Sequence, residues 1–113
     1  MKKTVTIKKN YEFKQAFSKG KFYGGTYIHM YIYMNKLNYN KIGIAVQKKT
    51  GKAVKRNRVK RLIRENYKNY EKDIKTGYNI LIILNKNKNI DEINFYNIKE
   101  DFFNIFKKSN IFN

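Results

Sequence analysis

The chain has 113 residues, with 26 Lys plus Arg against 8 Asp plus Glu, a formal net charge of +18, one His, and no Cys, Pro or Trp. This length suits one domain, residues 1–113, with one modest core, and a 42% hydrophobic, 16% aromatic composition excludes a disordered polycation. The absence of Cys excludes a disulfide framework, a thiolate metal site and a Cys nucleophile.

The first predicted element is a short helix. Asn10 is its N-cap, Glu12 suits the positive first turn, and Gly20 closes it in the position beyond the last turn. Phe13, Ala16 and Phe17 form its apolar stripe at i, i+3, i+4. Gly24 and Gly25 then mark a bulge or sharp bend. Residues 27–34 alternate strictly, which predicts a strand with two unlike faces. Ile28, Met30, Ile32 and Met34 point one way, and Tyr27, His29, Tyr31 and Tyr33 point the other. After a hairpin loop over residues 35–40, a second strand covers 41–47. Its core face is Ile42, Ile44 and Val46, and its other face, Gly43, Ala45 and Gln47, is made of smaller groups. Tyrosines on one strand beside small residues on its neighbour predict a shallow groove floored by the sheet.

A long helix is predicted over residues 52–70, with Val59, Leu62, Ile63, Tyr67 and Tyr70 as its apolar stripe. Asn57, Arg61, Arg64 and Lys68 fall on the opposite side at i, i+4, i+7, i+11, flanked by Arg58 and Lys60. Lys55 and Arg56 sit in its first turns, beside free backbone N–H groups that themselves attract anions. Residues 73–77 are the turn out. Residues 78–84 are apolar on both faces, as a central strand requires. Asp91 is the expected cap of a last helix running to about residue 107, with Phe95, Ile98, Phe102, Ile105 and Phe106 as its packing stripe. The order α-β-β(-β)-α-β-α defines an α+β fold, an α/β sandwich whose central sheet is expected to be mostly antiparallel.

The charge is unevenly placed. The acids are Glu12, Glu65, Glu71, Asp73, Asp91, Glu92, Glu100 and Asp101, so the stretch between Phe13 and Arg64 has fourteen basic residues and no counter-charge. All four arginines, Arg56, Arg58, Arg61 and Arg64, fall in one nine-residue window, while the other 22 basic residues are Lys. Arg offers a planar bidentate fork that Lys lacks, so its confinement to one helix marks a phosphate-recognition surface. A charge of +18 on so small a domain calls for a polyanion partner, and nucleic acid is the leading candidate.

The segment Ala45-Val46-Gln47-Lys48-Lys49-Thr50-Gly51-Lys52-Ala53-Val54-Lys55-Arg56-Asn57-Arg58-Val59-Lys60-Arg61-Leu62-Ile63-Arg64-Glu65 resembles the signature of the bacterial ribonuclease P protein subunit, an Arg-Asn-Arg motif in a basic helix after a strand ending in Lys-Lys. The flanks agree: Phe13 and Phe17 before Gly20, an aromatic-aliphatic strand, an aliphatic later strand and a closing Phe-rich helix. Lys52 stands where the family commonly has Asn, and Gln47 where Ser is common. The resemblance implies a protein cofactor of a catalytic RNA, which together cleave precursor tRNA at its mature 5′ end with Mg²⁺. It implies an RNA-subunit-binding side made of Lys48, Lys49, Lys52, Lys55, Arg56, Asn57, Arg58, Lys60, Arg61, Arg64 and Lys68. It also implies a leader-binding cleft drawn from Phe13, Phe17, Tyr27, His29, Tyr31, Tyr33, Gly43, Ala45 and Gln47. The family fold further implies a left-handed β-α-β crossover, which pattern reading would not suggest, since about 98% of such connections are right-handed.

Two readings of Phe13 and Phe17 stand side by side: they line the groove, or they hold the first helix on the sheet. His29 has no second ligand at a usable spacing, so no metal site is expected on the protein. Asp91-Glu92 and Glu100-Asp101 read as helix-cap and surface carboxylates rather than a general acid and base, which places the chemistry in the RNA. The alternative reading is a small basic ribosomal or other structural RNA-binding protein. A helix-turn-helix DNA binder fits poorly with two strands before the basic helix. A membrane-surface helix fits poorly because the apolar stripe is committed to the sheet. No apolar run approaches the roughly 20 residues of a membrane span and no signal-peptide pattern is visible, so a cytoplasmic location is expected.

Overall fold

A computed structural model describes residues 4–113. The elements run β1 (Thr4–Thr6), α1 (Asn10–Lys19), β2 (Lys21–Gly24), β3 (Ile28–Met34), β4 (Asn40–Ala45), α2 (Ala53–Tyr70), β5 (Tyr78–Leu84) and α3 (Phe95–Lys108). The strands form one sheet in the order β1-β4-β5-β3-β2. The α+β class is as expected, but the sheet is mixed rather than mostly antiparallel. β2/β3 and β3/β5 are antiparallel, while β1/β4 and β4/β5 are parallel. β1 is short and lies at an edge. It exists through pairing with a strand more than thirty residues away, so no local pattern announces it.

Alternation decides which side chains enter the core. Ile28, Met30 and Ile32 from β3, Ile42 from β4, and Ile80, Ile82 and Leu84 from β5 are buried on one face. There they meet Val59, Ile63 and Tyr67 of α2 and Ile98, Phe102, Ile105 and Phe106 of α3. Met34, expected on that face, is largely exposed at the end of its strand. The other face receives α1, where Phe13 packs at the position a Gly43 Cβ would approach to 3.0 Å, beside Ile7 and Leu81. Glycine at position 43 is therefore what lets α1 settle on the sheet.

β4, α2 and β5 form a parallel crossover whose hand follows from backbone directions. Ile7 N–H donates to the Ile42 carbonyl at 2.7 Å, so Ile42 turns its backbone groups toward β1. The Ile42 side chain points into the core with α2. For an L-residue these two directions fix its neighbours. Seen from the helix side with β4 running upward, β1 lies to the right and β5 to the left. The chain leaves β4, returns through α2 and enters β5 on the left, which is a left-handed crossover, against the usual preference.

Several predicted boundaries shift. α1 begins at Asn10 itself, after Lys9, and no side chain caps it. Gly20 ends α1 in an extended conformation, not a left-handed one. Asp91 does not cap α3. Asn94 does, in a reciprocal capping box with Asn97, while Asp91 pairs with Lys55 at 2.8 Å. Asp101 is not a surface carboxylate. It is 4% exposed and accepts the backbone N–H groups of Thr26, Tyr27 and Ile28 at 3.1, 2.7 and 3.0 Å, tying α3 to the bend after Gly24–Gly25. Gly77, at φ +97°, supplies the turn into β5.

Asp101→Ala strands three backbone donors and is expected to cost about 2–4 kcal/mol of stability, with Asp101→Asn costing less. Urea unfolding measures both, and a loss below about 0.5 kcal/mol for Asp101→Ala would contradict the structural role given to this carboxylate.

Candidate nucleic-acid interface

The β-register arranges the α1 side of the sheet in rows. Gly43, Leu81, Tyr31 and Phe22 share one row, and Ala45, Ile83, His29 and Gly24 share the next. α1 crosses the first row. Phe13 and Ile7 fill the space above Gly43, so Gly43 is buried and offers no groove surface. Phe17, one turn later, stays 48% exposed and meets Tyr31 edge-on with centroids 4.9 Å apart. The two phenylalanines therefore divide the two roles: Phe13 holds the helix down and Phe17 lines the surface.

Phe22 belongs to this cluster and lies outside the predicted set. It is 49% exposed, sits opposite Tyr31 in the antiparallel register, and contacts Tyr31 at 5.3 Å and His29 at 5.2 Å. Its sequence signal is weak, one of two adjacent aromatics in the short run Lys21–Gly24, because the pairing that positions it comes from β3. The open surface is thus the row Ala45–Ile83–His29, walled by Phe17, Tyr31 and Phe22. His29 Nδ1 accepts the Gly25 N–H at 3.3 Å, and its half-buried ring lies beside Phe22.

Two predicted tyrosines sit elsewhere. Tyr27 precedes β3, packs against the main core and lies under the Lys88 ammonium at 5.5 Å. Tyr33 accepts a hydrogen bond from Asn79 Nδ2 at 2.7 Å, on the far side of α1. A second cleft of about 400 Å³ opens there between α1 and the β3–β4 loop, lined in part by Tyr11, Lys19, Tyr33 and Lys36; that loop is not the expected hairpin, because β5 lies between β3 and β4. Lys41 on its rim pairs with Glu12 at 3.1 Å, and that carboxylate's hydrogen bond holds its pKa above the ordinary 10.5. Gln47 is exposed beyond the end of β4, and its carbonyl accepts both the N–H and hydroxyl of Thr50.

α2 divides its basic residues by direction. Asn57, Arg61, Arg64 and Lys68 are exposed along one ridge, and Lys48, Lys49 and Lys52 are exposed just before the helix. Lys48 and Lys49 follow the end of β4 and continue the chain from the Ala45 row to the ridge. Lys55 is exposed and paired with Asp91, and Lys60 is half-buried. Arg56 and Arg58 are also half-buried. Arg56 Nε donates to the Gly51 carbonyl at 3.1 Å, and the Arg58 guanidinium donates to the Ile93 carbonyl at 2.6 Å. Arg58 therefore fastens α2 to the segment before α3. Arg61 lies 3.9 Å from Glu65, a weak exposed pair.

An aromatic sheet face on one side and an outward cationic ridge on the other define a small basic α+β protein of the nucleic-acid-binding class. The family model described as Ribonuclease P matches residues 1–110, and the chain belongs to the ribonuclease P protein family. It is 41% identical over 108 residues to the ribonuclease P protein component of Clostridium botulinum strain Loch Maree, covering 95% of this chain and 96% of that one. It is 37% identical over 111 residues to that of Natranaerobius thermophilus, covering 98% and 95%. Among solved structures it is similar to the Staphylococcus aureus RNase P protein, with a TM-score of 0.85, 31% identity and coverage of 98% and 100%. The Thermotoga maritima RNase P protein superposes with a TM-score of 0.81 at 28% identity, covering 91% of this chain and 96% of that one.

The division between Phe13 and Phe17 is measurable. Phe13→Ala is expected to cost about 2–3 kcal/mol because α1 loses its anchor, and Phe17→Ala about 1 kcal/mol through the lost ring contact. Denaturant midpoints check the pair, and equal losses would contradict the division.

Proposed function

We propose that this chain is the protein subunit of a ribonuclease P ribonucleoprotein, assisting removal of the 5′ leader from precursor tRNA in the cytoplasm. The observation that carries the proposal is the family match over residues 1–110, on a chain whose exposed cationic ridge and open aromatic face lie on different elements. In this reading the ridge of Arg61, Arg64 and Lys68, with Asn57 and the preceding Lys48, Lys49 and Lys52, holds the catalytic RNA through its phosphates. The surface of Phe17, Phe22, Tyr31 and His29, floored by Ala45 and Ile83, takes the single-stranded leader by stacking, each base worth about 1–3 kcal/mol.

The chemistry belongs to the RNA in this proposal. Hydrolysis by protein groups needs a positioned acid and base or a carboxylate cluster for metals. Among the described residues no group of three or more His, Asp or Glu side chains converges. Asp101 is occupied with three backbone N–H groups, and Glu12 and Asp91 are paired with lysines. Mg²⁺ is then the RNA's cofactor, and the protein reduces the phosphate repulsion that Mg²⁺ would otherwise have to offset. No helix among the described residues is long and apolar enough to cross a membrane.

Reconstitution with the cognate RNA subunit at low Mg²⁺ tests both surfaces. Tyr31→Ala is expected to weaken discrimination of precursor from mature tRNA by about tenfold, the scale of one lost stack. Arg61→Ala combined with Arg64→Ala is expected to weaken assembly with the RNA subunit. This pair is a cleaner probe than Arg58→Ala, which also releases the Ile93 carbonyl. If six to ten phosphates are contacted, assembly affinity should fall by about 10³- to 10⁵-fold between 50 and 200 mM salt. Unchanged leader discrimination in Tyr31→Ala, or a protein that leaves precursor affinity and the Mg²⁺ requirement unaltered, would overturn the proposal.

A further inference from the structure

The sheet extends one strand beyond the cover of α2, and a groove of about 360 Å³ opens between β1 and that helix. It lies on the sheet face that carries α2, not on the aromatic face. Ile42 and Ile44 make its floor, and Thr4, Tyr67 and Glu71 stand at one end. Arg64 and Lys68 stand on its rim. The volume is within the roughly 300–1,000 Å³ of small-ligand clefts.

The polar end is ordered by a directional chain. Thr4 Oγ1 donates to Glu71 Oε2, so its remaining contact, 3.0 Å to the Tyr67 hydroxyl, is one in which Tyr67 donates. Burial pushes the Tyr67 phenol pKa up, which keeps that donor proton in place. Both hydroxyl protons are thereby committed, and Glu71 is left as an acceptor-only group facing the groove, although it is just 8% exposed. Among the described residues neither Arg64 nor Lys68 has an acidic partner, and Glu71 has no cationic one. One groove therefore presents a fixed acceptor at its end, an apolar floor, and two unpaired cations at its mouth.

We propose that this groove takes one unpaired guanine nucleotide of the RNA partner, turned out of its stack. The base lies on Ile42 and Ile44, its N1–H and exocyclic N2–H donate toward the Glu71 carboxylate, and its phosphate meets Arg64 and Lys68. Splayed bases read on their Watson–Crick edge are the ordinary mode of sequence-specific RNA recognition. Guanine fits an acceptor-only carboxylate because its edge presents two adjacent donors, whereas adenine offers one donor beside an acceptor and uracil one donor between two acceptors. Position supports the assignment, because Arg64 and Lys68 are also the last two residues of the exposed ridge. An RNA held along that ridge reaches the groove at its end. The inference rests on the ridge being the RNA-subunit side.

Nuclear magnetic resonance of the full chain, titrated separately with 5′-GMP, 5′-AMP, 5′-UMP and inorganic phosphate, tests the site. The expected result is saturable shifts at Thr4, Thr6, Ile44 and Tyr67 with GMP, at least about fivefold tighter than with AMP or UMP, one good base-edge contact being the scale. Glu71→Gln keeps the acceptor for Thr4 but loses the paired one, and should weaken GMP about tenfold while leaving phosphate binding unchanged. Lys68→Ala, at an exposed position with no folding role, should weaken all three nucleotides alike. Groove residues that stay still with GMP, or that move equally with all nucleotides or with phosphate alone, would overturn the proposal. So would GMP shifts centred on Tyr31 and Phe22. Failure here with intact assembly on the RNA subunit condemns the groove alone, whereas loss of assembly in the Arg61 and Arg64 ridge variants is the separate test of the ridge.

Discussion

The parallel pairing of β4 with β5 is the constraint on which the other features depend. Two parallel neighbours cannot be joined by a hairpin, so the chain must cross the sheet, and α2 is that crossing. A crossing helix buries one stripe and exposes the other. Val59, Ile63 and Tyr67 take the buried side, which sends Arg61, Arg64 and Lys68 outward. The left-handed hand of the crossing places α2 above β4 with β1 beyond it. The cationic ridge and the groove at its end both follow from that placement.

The opposite face depends on a smaller constraint, the close approach of α1 to Gly43. A side chain there would meet Phe13 and Ile7 and lift the helix. With α1 seated, Phe17 is held against Tyr31, and Tyr31 faces Phe22 across the β2–β3 ladder. Three rings positioned by three different elements make one aromatic surface. Four of the eight acids are committed within the fold: Glu12 and Asp91 to lysines, Asp101 to backbone donors, Glu71 to Thr4. The structural carboxylates thus stabilise the fold without neutralising the ridge.

Much of the fold and of the interface was legible in the residues because it is periodic. The alternation of residues 27–34, the apolar run 78–84 and the stripe of α2 are local patterns, and they match the observed elements within a residue or so. The unpatterned parts were hidden. β1 has three residues and exists through a distant partner, and β2 has only four, paired with the strand that follows it. Phe22 acquires its place from register, and Asp101 looks like any surface acid until α3 is docked against the bend at Gly25. The capping of α3 by Asn94 rather than Asp91 turned on where the helix begins, three residues later than the acid suggested.

By itself the sequence determined the charge, its concentration between Phe13 and Arg64, the confinement of arginine to one helix and the family signature, because each is written in neighbouring residues. Tertiary structure decided which of those groups are free to meet RNA. It turned Arg58 toward the Ile93 carbonyl and Arg61 toward solvent, packed Phe13 over Gly43 and exposed Phe17, and moved Tyr27 and Tyr33 out of the aromatic cluster. It also brought Thr4 and Glu71, sixty-seven positions apart, into one hydrogen-bonded end of a groove. Periodicity specifies the face on which a residue lies, and only the docking of one element on another specifies what covers that face.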